Sequence, residues 1–421
     1  MLKQIEGSQA MAEAIALCRP EVICAYPITP QTHIVEGLGA MVKEGRLTGC
    51  EFINVESEFA ALSVAIGASA AGARAYTATA SQGLLFMAEA VYNASGLGLP
   101  IVMTIGNRAI GAPINIWNDH SDAMSMRDSG WMQLFAETNQ EAADLHIQAF
   151  KLAEELSMPV MVCVDGFILT HAVERIDIPD QHVVDAYLPP YDPVQVLDPA
   201  DPLSIGAMVG PEAFTEVRFL SHHNQTQALQ LIPQIANQFA EVFGRESGGL
   251  LRCYRAEGAE MLVVAMGSVC GTIKDTIDEM RLEGISIGLV TIVSFRPFPT
   301  DTLRNALAGT KDVVVVEKSV TVGFGGPLAN NVSLALRNLP RAPVIHSAVA
   351  GLGGRPITRA SLYRLFEQAA AQPWEGTHFL DLNEHIVGRE IHRRGMKRRS
   401  GPTAENILRE LAVSGSQPAA E

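Results

Sequence analysis

Five apolar runs punctuate the first 175 residues: EVICAY (21–26), EFINVE (51–56), RAYTATA (74–80), PIVMTIG (100–106) and PVMVCVDG (159–166). Their hydrophobicity is nearly continuous and does not alternate, as in parallel strands covered on both faces. Between them lie stretches of helical character at 31–44, 58–71, 83–95 and 141–156. This β-α-β-α alternation predicts a doubly wound α/β domain.

The pattern dissolves between about 177 and 211, where PDQHVVDAYLPPYDPVQVLDPADP is proline-dense and without period. A helix is expected over 222–243, with Pro233 as a kink. A second α/β block then begins. Its strands are MLVVAMG (261–267), SIGLVTIV (286–293), DVVVVEK (312–318) and APVIHSAVA (342–350). Helices are expected at 301–309, 326–339 and 357–371, with another over the stretch that follows MLVVAMG, and Thr358 is a plausible N-cap. The chain thus reads as two doubly wound parallel-sheet domains, at 1–176 and 255–372, joined by a linker and helix at 177–254. A tail at 373–421 follows.

Composition narrows the picture little. Of 421 residues, 48% are hydrophobic and 18% charged, as in a well-buried protein. The net charge of −15 argues against a nucleic-acid binder. Within this acidic chain, residues 389–399 carry six Arg or Lys. That cluster is either a solvated helix end or an arm for an acidic partner. No basic-then-apolar leader and no membrane-length apolar run is found, so a cytoplasmic protein is expected. The six cysteines are scattered and form no C-x-x-C pair. Neither a disulfide framework nor an iron–sulfur or zinc site held by this chain alone is expected.

Ligands of open α/β sheets sit beyond the carboxyl ends of the strands. The segments there carry Thr29, Glu58, Ser81, Gln82, Asn107 and Arg108, all expected on one rim. Glu58 reads two ways. It is a first-turn acid stabilising a helix dipole by about 0.3–1 kcal/mol, or a partly buried carboxylate aimed at a ligand nitrogen. Arg108 is either a structural ion pair or a bidentate clamp for a substrate carboxylate. Thr29, between Pro27 and Pro30 in YPITPQTH, is biased away from helical geometry by the proline after it. It is a helix cap or a pre-set substrate contact. The run Asn118, Asp119, His120, Ser121, Asp122 has metal-ligand chemistry, but adjacent ligands rarely face one ion, so a loop or interface role is favoured. GFGG (323–326) and GLGG (351–354) lack a phosphate-loop pattern and read as strand-to-helix turns.

Several motifs carry a resemblance. YPITPQT, NVESEFAALSVAIGASAAGARAYTATASQGL, GNRAIGAPINIWNDHSDAMSMRDSGW and MPVMVCVDGFILTH, followed by GSVCGT, SFRPFP and VVVVEKSVTVGFGGPL, resemble the α subunit of the 2-oxoacid:ferredoxin oxidoreductases. The similarity runs over about residues 1–370, and the tail beyond about 385 has no counterpart. It implies a pyrimidine-binding domain for thiamine diphosphate, a transketolase C-terminal-like domain and CoA-dependent oxidative decarboxylation of a 2-oxoacid. By position, it implies that Glu58 and Pro27 contact the cofactor and that Thr29 and Arg108 contact the 2-oxoacid. A glutamate on the pyrimidine ring promotes loss of the thiazolium C2 proton.

The chain has no Gly-Asp-Gly motif with a distal Asn for Mg2+ and diphosphate. The family places these on a β subunit, and iron–sulfur clusters on γ and ferredoxin-like δ subunits, with ferredoxin or, through a flavin subunit, NAD as acceptor. Two alternatives stay open: a subunit resembling the β chain of a 2-oxoacid dehydrogenase E1 component, and a non-catalytic assembly subunit.

Overall fold

The computed structural model describes residues 2–395 and 403–415. Its strands are β1 (Leu2–Glu6), β2 (Val22–Ala25), β3 (Glu51–Asn54), β4 (Ala75–Thr79), β5 (Val102–Asn107), β6 (Met132–Phe135), β7 (Val160–Asp165) and β8 (Val173–Asp177). They continue with β9 (Leu251–Tyr254), β10 (Met261–Ala265), β11 (Ile287–Ile292), β12 (Ser294–Arg296), β13 (Asp312–Glu317), β14 (Val344–Val349) and β15 (Thr377–Phe379). A seven-stranded sheet has the order β12-β6-β7-β5-β4-β2-β3 and is parallel except for β12. A six-stranded sheet, β15-β14-β13-β10-β11-β9, is parallel except for β9. The α/β class with two largely parallel sheets is as the apolar runs predict.

Among the described residues three large apolar cores fill the layers, with a small fourth cluster at Ala10, Ile176 and Ile178. One lies between the first sheet and the helices Gly7–Leu17, Thr32–Lys43 and Asn139–Leu156. The second is shared: Leu84, Val91 and Trp131 of the first block join Leu262, Val290 and Val315 of the second. The third covers the far face of the six-stranded sheet beneath Val269–Leu282 and Arg359–Ala371. The central strands β4, β5, β7, β10, β11 and β13 are buried along their whole length, which explains their unbroken hydrophobicity.

Local signals hold at several ends. Ser57 Oγ accepts from Ala60 N at 3.2 Å, and Thr358 Oγ1 accepts from Ser361 N at 3.1 Å, each capping a helix. Elsewhere the structure departs from the expectation. The stretch at 83–95 is two helices, Ser81–Phe86 and Ala88–Gly96. The helix expected at 222–243 begins at Phe214, and its first turns, which bear Phe214, Phe219 and Leu220, are exposed. After β11 the chain crosses over, and β12 pairs with β6 of the first sheet. Phe295 on β12 meets Phe135 on β6 edge to face, with ring centroids 6.3 Å apart. In the tail, Arg389 and Arg393 pair with Glu410 of the last helix. Lys397, Arg398 and Arg399 of the basic cluster lie outside the described residues. No helix among the described residues is long and apolar enough to cross a membrane.

Candidate functional site

Parallel order brings the carboxyl ends of β2, β3, β4 and β5 to one edge. The predicted residues follow those ends, and the structure gives them different surroundings. Glu58 opens the helix Glu58–Ala70 and is only 8% exposed. Among the described residues its carboxylate accepts no hydrogen bond. It lies against Gly83 of the SQG turn, where an added β-carbon would come within 2.7 Å of Glu58 Oε1 and 2.6 Å of Thr79 Oγ1. Gly83 therefore makes the seat for this carboxylate.

Arg108, after β5, is also buried. Its Nε donates to the Asn115 carbonyl at 3.2 Å and its Nη1 to the Thr29 carbonyl at 3.0 Å. Among the described residues no carboxylate sits at ion-pair distance from the guanidinium, so the structural ion pair considered for it is not formed. Burial pulls its pKa down, partly offset by Asp122. The guanidinium still has donors to offer an anion in a fixed plane.

Thr29 is exposed, and its peptide bond to Pro30 is cis. Arg108 holds Thr29 by its carbonyl, while the next helix begins only at Thr32. Pro27 is exposed on the same loop. Ser81 and Asn107 reach the same edge but are turned inward. Ser81 Oγ donates to the Ala109 carbonyl at 2.5 Å and bonds Gln82 Oε1. Asn107 Nδ2 donates to Asp122 Oδ1 at 2.8 Å.

The run 118–122 splits into three roles. Asn118 Oδ1 accepts from Lys318 Nζ at 2.5 Å, and His120 Nε2 meets Asp165 Oδ1 at 2.7 Å. Lys318 Nζ lies 3.0 Å from Asp165 Oδ2, which also takes the Ser268 hydroxyl. Burial opposes the charge of Asp165, yet Lys318, His120 and Ser268 together hold its carboxyl well below the usual range. Asp119 Oδ2 accepts from Gly353 N at 3.0 Å, so GLGG docks onto this loop. Asp122 faces the rim. Among the described residues no group of three or more His, Cys, Asp or Glu is placed to hold a metal.

Around Glu58 and Arg108 stand exposed apolar side chains: Phe59 and Phe86, whose rings lie 6.4 Å apart, and Ile114 (78% exposed) and Trp117. Sequence reasoning missed Gly83 and the position of Asp122. The glycine at the third place of SQG was the available signal for the first.

Comparison with known proteins decides the lineage. A family profile described as "Pyruvate flavodoxin/ferredoxin oxidoreductase, thiamine diP-bdg" matches residues 13–237, and "Pyruvate:ferredoxin oxidoreductase core domain II" matches residues 259–362. The chain belongs to the pyruvate flavodoxin/ferredoxin oxidoreductase family. It is 46% identical to pyruvate synthase subunit PorA of Methanosarcina barkeri, over 91% of this chain and 97% of that one. With pyruvate synthase subunit PorA of Thermotoga maritima it shares 44% identity, covering 87% and 93%. Ketoisovalerate oxidoreductase subunit VorA of Pyrococcus horikoshii is 38% identical, covering 85% and 90%. In fold the chain resembles 2-oxoglutarate:ferredoxin oxidoreductase from Magnetococcus marinus, solved with 2-oxoglutarate, coenzyme A and succinyl-CoA bound. That match has a TM-score of 0.65 at 19% identity, and covers 87% of this chain but only 65% of the other. Membership of this family removes the dehydrogenase E1 alternative.

Proposed function

We propose that this chain is the α-type subunit of a multi-subunit 2-oxoacid:acceptor oxidoreductase that supplies half of a thiamine diphosphate site. The reaction is CoA-dependent. The acid's carboxylate leaves as CO2, the CoA thiol takes the acyl group, and two electrons and a proton are released. One observation carries the reading: the Glu58 carboxylate is buried, seated on Gly83 and has no protein donor among the described residues. Such a group fits an aminopyrimidine nitrogen. When bound, thiamine diphosphate supplies the carbon nucleophile and the electron sink for decarboxylation.

Glu58 holds the pyrimidine and keeps negative charge where the ring must become more basic. Arg108, cross-braced to the Thr29 and Asn115 carbonyls, orients the substrate carboxylate. Thr29 and Pro27 line the approach. We assign residues 1–176 to pyrimidine binding and 255–372 to the transketolase C-terminal-like domain. The linker and helix at 177–254 join them, and 373–421 form the tail.

Mg2+ and diphosphate fall to a β-type subunit, because the Gly-Asp-Gly motif is missing from this sequence. Iron–sulfur clusters fall to further subunits, because the cysteines are scattered. The apolar collar of Phe59, Phe86, Ile114 and Trp117 supports closure by such a partner. Pyruvate is the favoured substrate, because PorA relatives reach 46% identity and the ketoisovalerate relative 38%.

The test is the purified native complex, with its chains identified and assayed for CoA-dependent oxidation of pyruvate, branched-chain 2-oxoacids, 2-oxoglutarate and aryl 2-oxoacids. Highest kcat/KM for pyruvate is expected. A complex that turns over none of these acids sinks the reading and leaves the assembly-subunit alternative.

A further inference from the structure

Asp122 is fully buried, and four N–H groups end on it, from Ser81, from consecutive Asn107 and Arg108, and from its neighbour Ala123. Oδ1 accepts from Asn107 Nδ2 at 2.8 Å and Ala123 N at 2.8 Å. Oδ2 accepts from Ser81 N at 3.0 Å and Arg108 N at 3.0 Å. A carboxylate offers about four lone-pair positions. All four are filled, and no side-chain cation pairs with it among the described residues. Ser81 starts the turn that contains Gly83, the seat of Glu58. Arg108 is the clamp itself.

We propose that Asp122 is a positioning residue that fixes the cofactor-side glutamate and the substrate-side arginine to one another through the backbone. The inference rests on the function proposed above. A neutral or amide group cannot do this work. Each oxygen already accepts two N–H bonds, so a proton on either must displace a donor. An asparagine turns its own N–H toward two donors. The strand ends after β4 and β5 then lose their common anchor, and the clamp and the seat drift independently.

Burial pushes Asp122 up to about 6, against the lowering effect of its four donors. The ionisable groups that feel its charge are Arg108 on its own rim and Cys163 on β7. Protonation below about pH 6 therefore loosens the anchor.

The experiment uses the assembled complex carrying Asp122→Asn. The expected result is a KM for the 2-oxoacid about tenfold higher, with a smaller fall in kcat. The melting-temperature rise on adding thiamine diphosphate and Mg2+ should shrink. Wild-type KM should climb as pH falls below about 6, while the variant's KM stays flat. If the variant does not assemble, Asn107→Ala removes one donor of four and should raise KM about threefold. A variant that melts earlier but keeps wild-type KM, pH profile and cofactor shift overturns the inference and leaves a purely structural role. Should Glu58→Gln and Arg108→Ala also behave as wild type, the proposed function itself fails.

Discussion

Two buried glutamates sit at the carboxyl edges of the two sheets, each pressed against a glycine. Glu317 ends β13, and its carboxylate accepts from Leu328 N at 2.7 Å and Ala329 N at 3.0 Å, at the start of the helix Pro327–Leu336. Gly326 leaves room for it, since a β-carbon there would overlap Glu317 Oε1. Glu58 stands at the start of its own helix over Gly83 and takes no donor from the protein among the described residues. The local device is the same, and only its completion differs. In the second sheet the helix N–H groups close the site. In the first, no N–H group of the described residues does so. Position at a strand end and a neighbouring glycine are therefore common to both acids; what separates them is whether protein N–H groups reach the carboxylate.

This contrast can be broken at five points. Glu58→Gln in the complex should cut kcat by about 10³-fold with little change in melting temperature, and near-normal turnover would make Glu58 a second Glu317. Gly83→Ala drives a methyl into the carboxylate. Displacement of about 1 Å should cost up to about 10²-fold in kcat, whereas unchanged kinetics would show that the seat is elastic. For Arg108→Ala, KM for the 2-oxoacid should rise about tenfold or more through the lost charge-assisted bond. A loss confined to stability would return Arg108 to a structural part.

On the closed side, Gly326→Ala should destabilise the chain by about 1–3 kcal/mol through overpacking and leave kcat unchanged in the complex that forms. Burial pushes Glu317 up to about 7, against the lowering pull of the Ala329 and Leu328 N–H groups. Its folded form thus binds a proton that the unfolded form releases at lower pH. Stability from this group is present at pH 4–5 and is lost as pH rises through about 7. Thermal melts across pH 5–8 should show that decline in the wild type and a flatter profile in Glu317→Gln.

Much of this architecture is legible in the chain because parallel strands declare themselves locally. The runs at 100–106 and 312–318 are apolar throughout because both faces are covered. The caps at Ser57 and Thr358 depend on residues three positions away. What stays hidden depends on distance along the chain. Ser81 and Asp122 are 41 residues apart, and Lys318 and Asp165 are 153 apart. No periodicity encodes such pairs. Spacing put Asp122 in one group with Asn118, Asp119 and His120, although their side chains bond in different places. The short strand MQLF at 132–135 was also missed, because its edge partner, β12, comes from the other block.

The Lys318–Asp165–His120 cluster lies wholly inside the protein and ties the end of β7 to the loop after β13. It joins the two halves alongside β12 crossing into the first sheet, the Gly353–Asp119 bond and the shared core. Removing one member of the buried cluster would leave an uncompensated charge in a dry interior, at a cost of about 3–5 kcal/mol. The two blocks are thus joined by buried charge and by strand pairing as well as by a shared apolar core.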